Sequence, residues 1–225
     1  MTTKQILYTI IIALLTSCDF KTSSDYNKEA EVLEMEGKFE EAIALLNIAI
    51  VKDPKNIFAL INRGVDKSFL KNYYGAIEDY SKIIEIDSKN TLAFFNRGKN
   101  KKRLQDYIGA IADFDSAIST KGNEDFYFNW VENPLVETGF QFDVKMEEIR
   151  FERGISRYNI DSFNSAFLDF NFCIQNQFEL PSNYYWRGLV YLTYGMELEG
   201  CEDLGKANDL GDNDAKEVIK SYCSK

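Results

Sequence analysis

Histidine is absent from all 225 residues, which removes imidazole general bases, Ser-His triads, His metal ligands and the usual physiological pH switch together. Proline is scarce, at three residues, so long stretches carry no strong helix breaker. Positive charge is in deficit: 26 Lys and Arg face 36 Asp and Glu, a net charge of -10, which argues against a nucleic-acid partner. Cysteine numbers four and no CxxC is present, so zinc-ribbon and redox-motif readings have nothing to stand on. No Gly-rich phosphate loop, nucleophile motif or metal cluster appears, and no catalytic residue, metal or cofactor is assigned; a hydrolytic enzyme remains only a remote reading. What is abundant is apolar and aromatic residue, 45% and 14% of the chain, ample for a packed core.

The N-terminus reads as an address. Lys4 supplies a positive start, Ile6 to Leu15 form an apolar run of about ten residues, too short to span a bilayer, and Leu15-Thr16-Ser17 precede Cys18. This arrangement resembles the lipobox of bacterial lipoproteins. The resemblance implies that residues 1–17 are a signal peptide, that Cys18 becomes the lipidated first residue, and that 18–22 form a tether to a membrane of the cell envelope, with the outer membrane or periplasmic face as the expected location. The alternative is an ordinary signal peptide with a chance cysteine.

Past the tether the chain repeats itself. Ile61-Asn62-Arg63-Gly64 returns as Phe95-Asn96-Arg97-Gly98, 34 residues on, and Tyr74-Gly75-Ala76-Ile77 returns as Ile108-Gly109-Ala110-Ile111. Gly154 and Gly188 are again 34 apart, while Gly98 to Gly154 is 56, one period plus 22. Small residues (Ala42, Ala76, Ala110, Ala166) and large apolar ones (Leu46, Tyr80, Phe114, Phe170, Leu204) keep the same register. Apolar residues in Glu40 to Val51 recur at three and four, a helical stripe. Two helices separated by about 8–10 Å need a small side chain at their closest approach, and hairpins with one uncovered face must stack.

These residues resemble the tetratricopeptide repeat family. The resemblance implies an all-α solenoid of about five helix–turn–helix units plus a C-terminal capping helix. Units 1–3 fall in 23–124, an aromatic-rich insertion in 125–146, units 4–5 in 147–214 and the capping helix in 215–225. The last unit departs from the pattern, with Gly200 in place of alanine, and looks like the related Sel-like variant; Ala215, Val218, Ile219 and Tyr222 are expected to form the buried face of the cap. Cys201 and Cys223 lie on either side of Gly211, so a helical hairpin turning there would bring them together as a disulfide, two separate buried thiols being the alternative. Cys173, at a small core position, reads as a packed thiol.

For function, the resemblance implies a protein or peptide partner lying in a concave groove lined by the first helices. Asn62 and Asn96, on equivalent turns, suit an extended peptide backbone, or else a local bond within Asn-Arg-Gly. Lys99, Lys102 and Arg103 share one helical face and would favour an acidic or C-terminal carboxylate ligand, unless they are a solvated face. Phe126, Tyr127, Phe128 and Trp130 in the insertion are either an interaction arm or a loop packed on the neighbouring repeats. Glu147, Glu148 and Glu152 read as an exposed helical face. The function these readings favour is a non-catalytic, lipid-anchored binding scaffold, with a structural subunit or assembly factor of an envelope complex as the alternative.

Overall fold

The structure is a computed structural model that describes residues 20–121 and 144–223. Cys18 and the insertion residues Phe126, Tyr127, Phe128 and Trp130 lie outside the described residues. All regular structure among the described residues is α-helical, as five hairpins and one terminal helix. The hairpins are α1 (Ser23–Met35) with α2 (Phe39–Lys52), α3 (Ile57–Phe69) with α4 (Tyr73–Ile86), α5 (Thr91–Arg103) with α6 (Tyr107–Thr120), α7 (Met146–Tyr158) with α8 (Phe163–Gln175), and α9 (Leu180–Thr193) with α10 (Glu197–Asp209); α11 (Asn213–Tyr222) closes the row. None of the described helices is long and apolar enough to cross a membrane.

Local chemistry repeats with the period. Asn56 and Asn90 accept hydrogen bonds from the backbone N–H groups of Ala59 and Ala93, while Asn72 and Asp106 accept from Gly75 and Gly109, so each pair starts equivalent helices. Within each hairpin the turn requires one left-handed residue: Gly37, Lys71, Gln105, Asp161 and Gly195 occupy it with φ of 74°, 62°, 62°, 58° and 71°. Only two of the five are glycine, which is why the turn is invisible as a glycine pattern.

The helices of a hairpin touch through the small residues. Ala42, Ala76, Ala110 and Ala166 have no exposed surface, and Leu46, Tyr80, Phe114, Phe170 and Leu204 are buried beside them. Burying each such large side chain stabilises by about 1.5–3 kcal/mol. A methyl group placed on Gly154 would sit 2.7 Å from Phe170 Cε1, and one on Gly98 2.8 Å from Phe114 Cε1. In the last hairpin the two backbones themselves come close at a glycine pair: a Cβ on Gly188 would lie 3.1 Å from the Gly200 carbonyl, and one on Gly200 3.1 Å from the Gly188 carbonyl. Gly200 stands where alanine stands elsewhere because Leu192 fills the space an alanine methyl would take, 2.8 Å away.

The first helices of successive hairpins pack on one another, α1 on α3, α5 on α7 and α7 on α9, to an extent that the second helices do not. The first helices therefore follow the shorter inner arc and line the concave side. Helix α11 begins at Asn213, because Asp212 Oδ1 accepts from the N–H groups of Asp214 and Ala215. It covers Leu204 and Ala207 with Ala215, Val218 and Ile219. Tyr222 is 58% exposed and stays out of that face, a correction to the expected cap, since Cys223 rather than Tyr222 turns inward there. A disulfide joins Cys201 to Cys223, with Cα atoms 5.7 Å apart, and ties α11 to α10. Cys173 is buried, its thiol donates to the Glu147 carbonyl at 3.2 Å, and burial pushes its pKa up to about 12.

Candidate functional site

Along the concave side the chemistry changes from hairpin to hairpin. At the N-terminal end, α1 presents Asn27, Glu31 and Glu34 toward Asn62 and Asp66 of α3. The Asn27 amide donates to Glu31 at 2.8 Å, and Asn62 Nδ2 lies 3.3 Å from Asn27 Oδ1 and 3.4 Å from Glu31 Oε1. Asn62 thus bonds across to the preceding unit and not within its own turn. Burial raises the Glu31 and Glu34 carboxyls, and the charge of Glu31 adds to the effect at Glu34. Asp66, itself only 1% exposed, is pushed up to about 7 by burial and then by the Glu34 charge and hydrogen bond. Asn96, the equivalent of Asn62, is half-buried and contributes its backbone carbonyl to the Asn100 amide at 2.8 Å.

The middle of the groove is self-neutralised. Lys102 bonds Glu152, and Lys99 lies 3.9 Å from Glu148 and 5.0 Å from the centre of the Phe95 ring. Lys101 turns away to Asp113 at 2.8 Å, and Arg103 is exposed. Two of the three basic residues sharing the groove face are therefore matched by α7 carboxylates. Glu148 and Glu152, read from sequence as part of an exposed face, are half-buried partners of the basic run; the period-plus-22 insertion hid that α7 stacks directly on α5. At the C-terminal end the groove is aromatic. Half-buried Tyr158 and Trp186 lie with ring centres 5.2 Å apart, Tyr185 stands 5.5 Å from Trp186, and Phe151 stands 6.4 Å from Phe178.

Behind the groove runs a ladder that sequence reading passed over. Arg63, Arg97, Arg153 and Arg187 each grip an aspartate sixteen residues later, Asp79, Asp113, Asp169 and Asp203, through Nε at 2.7–2.9 Å and through Nη2. Each Nη1 donates to the preceding hairpin's second helix, at Asn47, Ser81, Asp115 and Asn171. One guanidinium thus joins two hairpins, and the signal was present in sequence as Arg before each helix-contact glycine and Asp before each buried large residue. Among the described residues no group of three or more metal-ligating side chains could hold a metal ion.

No family model matches the sequence, and no curated protein matches it either. Solved structures do share the fold. YrrB, described as a TPR protein with an unusual peptide-binding site, is 19% identical, with 87% of this chain and 91% of that one covered at a TM-score of 0.68. MamA from Desulfovibrio magneticus is 12% identical, covering 84% and 94% at 0.69. A tetratricopeptide repeat protein from Parabacteroides merdae is 19% identical, covering 96% and 88% at 0.56. The chain has the architecture of a tetratricopeptide-type helical solenoid.

Proposed function

We propose that this protein is a non-catalytic scaffold of the bacterial cell envelope, anchored through lipid on Cys18, that holds an extended protein or peptide segment in the concave groove. The observation that carries the reading is the inner row of first helices, which presents half-exposed polar and aromatic side chains of three chemistries along one trough. YrrB, a neighbour in fold described as having an unusual peptide-binding site, supports peptide binding on this fold. The Cys201–Cys223 disulfide agrees with an oxidising compartment outside the cytosol, and the Lys4-to-Cys18 pattern agrees with export and acylation.

The test has two arms. Cys18→Ser is expected to move the protein from the membrane fraction to the soluble one, and continued membrane association defeats the anchor. Crosslinking in the native envelope through a photoreactive residue in place of Lys99 or Trp186 is expected to capture a partner. The same photoreactive residue in place of Glu40, exposed on the second helix α2, is expected to capture none. Capture from the α2 position alone would defeat the groove reading.

One observation favours a second reading, a structural subunit or assembly factor of an envelope complex. Tyr74, Ile108 and Leu198 occupy equivalent places on α4, α6 and α10 and are 72%, 73% and 80% exposed, so the outer side also offers apolar contacts. Stable co-purification that survives groove substitutions but not Tyr74→Ser with Ile108→Ser would favour that reading.

A further inference from the structure

Buried aspartates in this solenoid are held by cations. Asp79 meets Arg63 and Lys67, Asp113 meets Arg97 and Lys101, Asp169 meets Arg153 and Arg157, and Asp203 meets Arg187 with Lys206 at 4.0 Å. Asp66 is as buried as any of them and differs. Lys67, its chain neighbour, is committed to Asp79 at 2.8 Å. Oδ2 of Asp66 and Oε1 of Glu34 are both closed off from solvent and receive no donor from any other residue, Asp66 and Glu34 instead sharing one proton between them, and among the described residues neither these two carboxyls nor Glu31 forms a salt bridge. The shared proton satisfies the pair only while one carboxyl stays neutral; with both ionised, two like charges would be buried without the cation that each buried aspartate of the ladder has, and a cation from outside would supply it.

We infer that the α1–α3 end of the groove is a receptor for one lysine or arginine side chain of an extended peptide, its charged head received by Glu31, Glu34 and Asp66. The inference rests on the peptide-binding reading above and narrows it to a ligand class. The surroundings fit that side chain along its length. Val65 and Phe69 follow Asn62 and Asp66 on the same face of α3 and are exposed, as is Met35 at the end of α1. Together they supply apolar surface for a hydrocarbon stem whose cationic head reaches the carboxylates. The bound cation satisfies Asp66 in the way Arg63 satisfies Asp79.

Occupancy and protonation are linked. Asp66 faces Glu34 on α1, with Glu31 beyond it, and Tyr80 on α4. The empty site keeps a proton that an arriving cation displaces, so binding tightens as pH rises from about 6 to about 8.

An array of decapeptides, each carrying one of the twenty residues at the centre of an alanine-glycine background, tests this against the full mature chain with Cys18→Ser for solubility. Norleucine and citrulline centres serve as uncharged isosteres. Lysine and arginine centres are expected to be retained at least about tenfold more than those isosteres, a preference that falls to about onefold in Asp66→Asn combined with Glu34→Gln. The variant is expected to fold, because Asn100 already occupies the position equivalent to Asp66 in the next hairpin and is likewise buried; its melting temperature confirms it. Retention of peptides without a cationic preference, or a preference unchanged in the variant, overturns the receptor and leaves the peptide-binding groove standing. Retention of none of the peptides overturns both.

Discussion

Arg153 on α7 donates to Asp115 on α6 at 2.6 Å across 38 residues of chain, where the same contact elsewhere, such as Arg97 to Ser81, spans sixteen. The excess of 22 is the length by which the repeat is interrupted, so the fourth hairpin docks on the third in the register used by its neighbours. A directional ionic contact that reaches the preceding second helix specifies this pairing more sharply than non-directional apolar packing does.

Removing one side of this ladder strands the other. Asp169→Ala leaves half-buried Arg153 and Arg157 with only the half-exposed Asp115 as a carboxylate partner and is expected to cost about 3 kcal/mol. Glu202→Ala breaks only the exposed pair with Lys206 and is expected to leave the unfolding midpoint nearly unchanged. Urea unfolding of the two variants side by side is the measurement, and equal losses would contradict the ladder's role.

Two glycines should respond in opposite senses to the same methyl group. Gly154→Ala drives Cβ toward the Phe170 ring and is expected to destabilise by about 1–3 kcal/mol. Gly205→Ala, on α10 with nothing within 4 Å, is expected to stabilise by up to about 1 kcal/mol through helix propensity alone. Thermal melts of both variants check the pair.

Within the hairpin turns, Gln105 holds a left-handed backbone at φ 62° where the first and last hairpins use glycine. Gln105→Gly is expected to raise stability by up to about 1 kcal/mol, the conformational cost outweighing the extra freedom of the unfolded chain. An unchanged or lower melting temperature would show that the glutamine side chain contributes more than its backbone costs.

The disulfide closes a separation of 22 residues, and reducing it is expected to cost about 3 kcal/mol, concentrated in α11. Hydrogen exchange with and without dithiothreitol should show the loss of protection over 213–222 while α3 to α6 remain protected.

Asp66 sets a pH dependence of known sign. Its carboxyl normally titrates at 3.8 and is pushed up to about 7 in the fold, chiefly by burial and then by Glu34. Folding therefore holds the proton more tightly than the unfolded chain does, and this stability is present in acid and lost as pH rises from about 4 to 7. Asp66→Asn removes the dependence, so its melting temperature should exceed that of the native chain by an amount that widens over this range and is constant above it.

The period of 34, the small residues at the helix contacts and the large apolar residue one turn on made the hairpins legible in the one-dimensional chain, because hairpin packing is local and repeats its requirements in place. Caps and the Arg–Asp ladder were equally periodic, at Asn56 and Asn90 or Arg63 and Arg97, and required only that polar residues be read with the apolar ones. The groove was not legible in this way. Whether Lys102 faces a ligand or Glu152, and whether Asp66 finds a cation, depends on which side chains of different hairpins come within hydrogen-bond reach. Those distances follow from how each hairpin is rotated on the one before it, a quantity that spacing along the chain does not contain. Sequence determined the repeating hairpin and its stacking faces; only the tertiary structure decided which charges cancel and which are left for something else to meet.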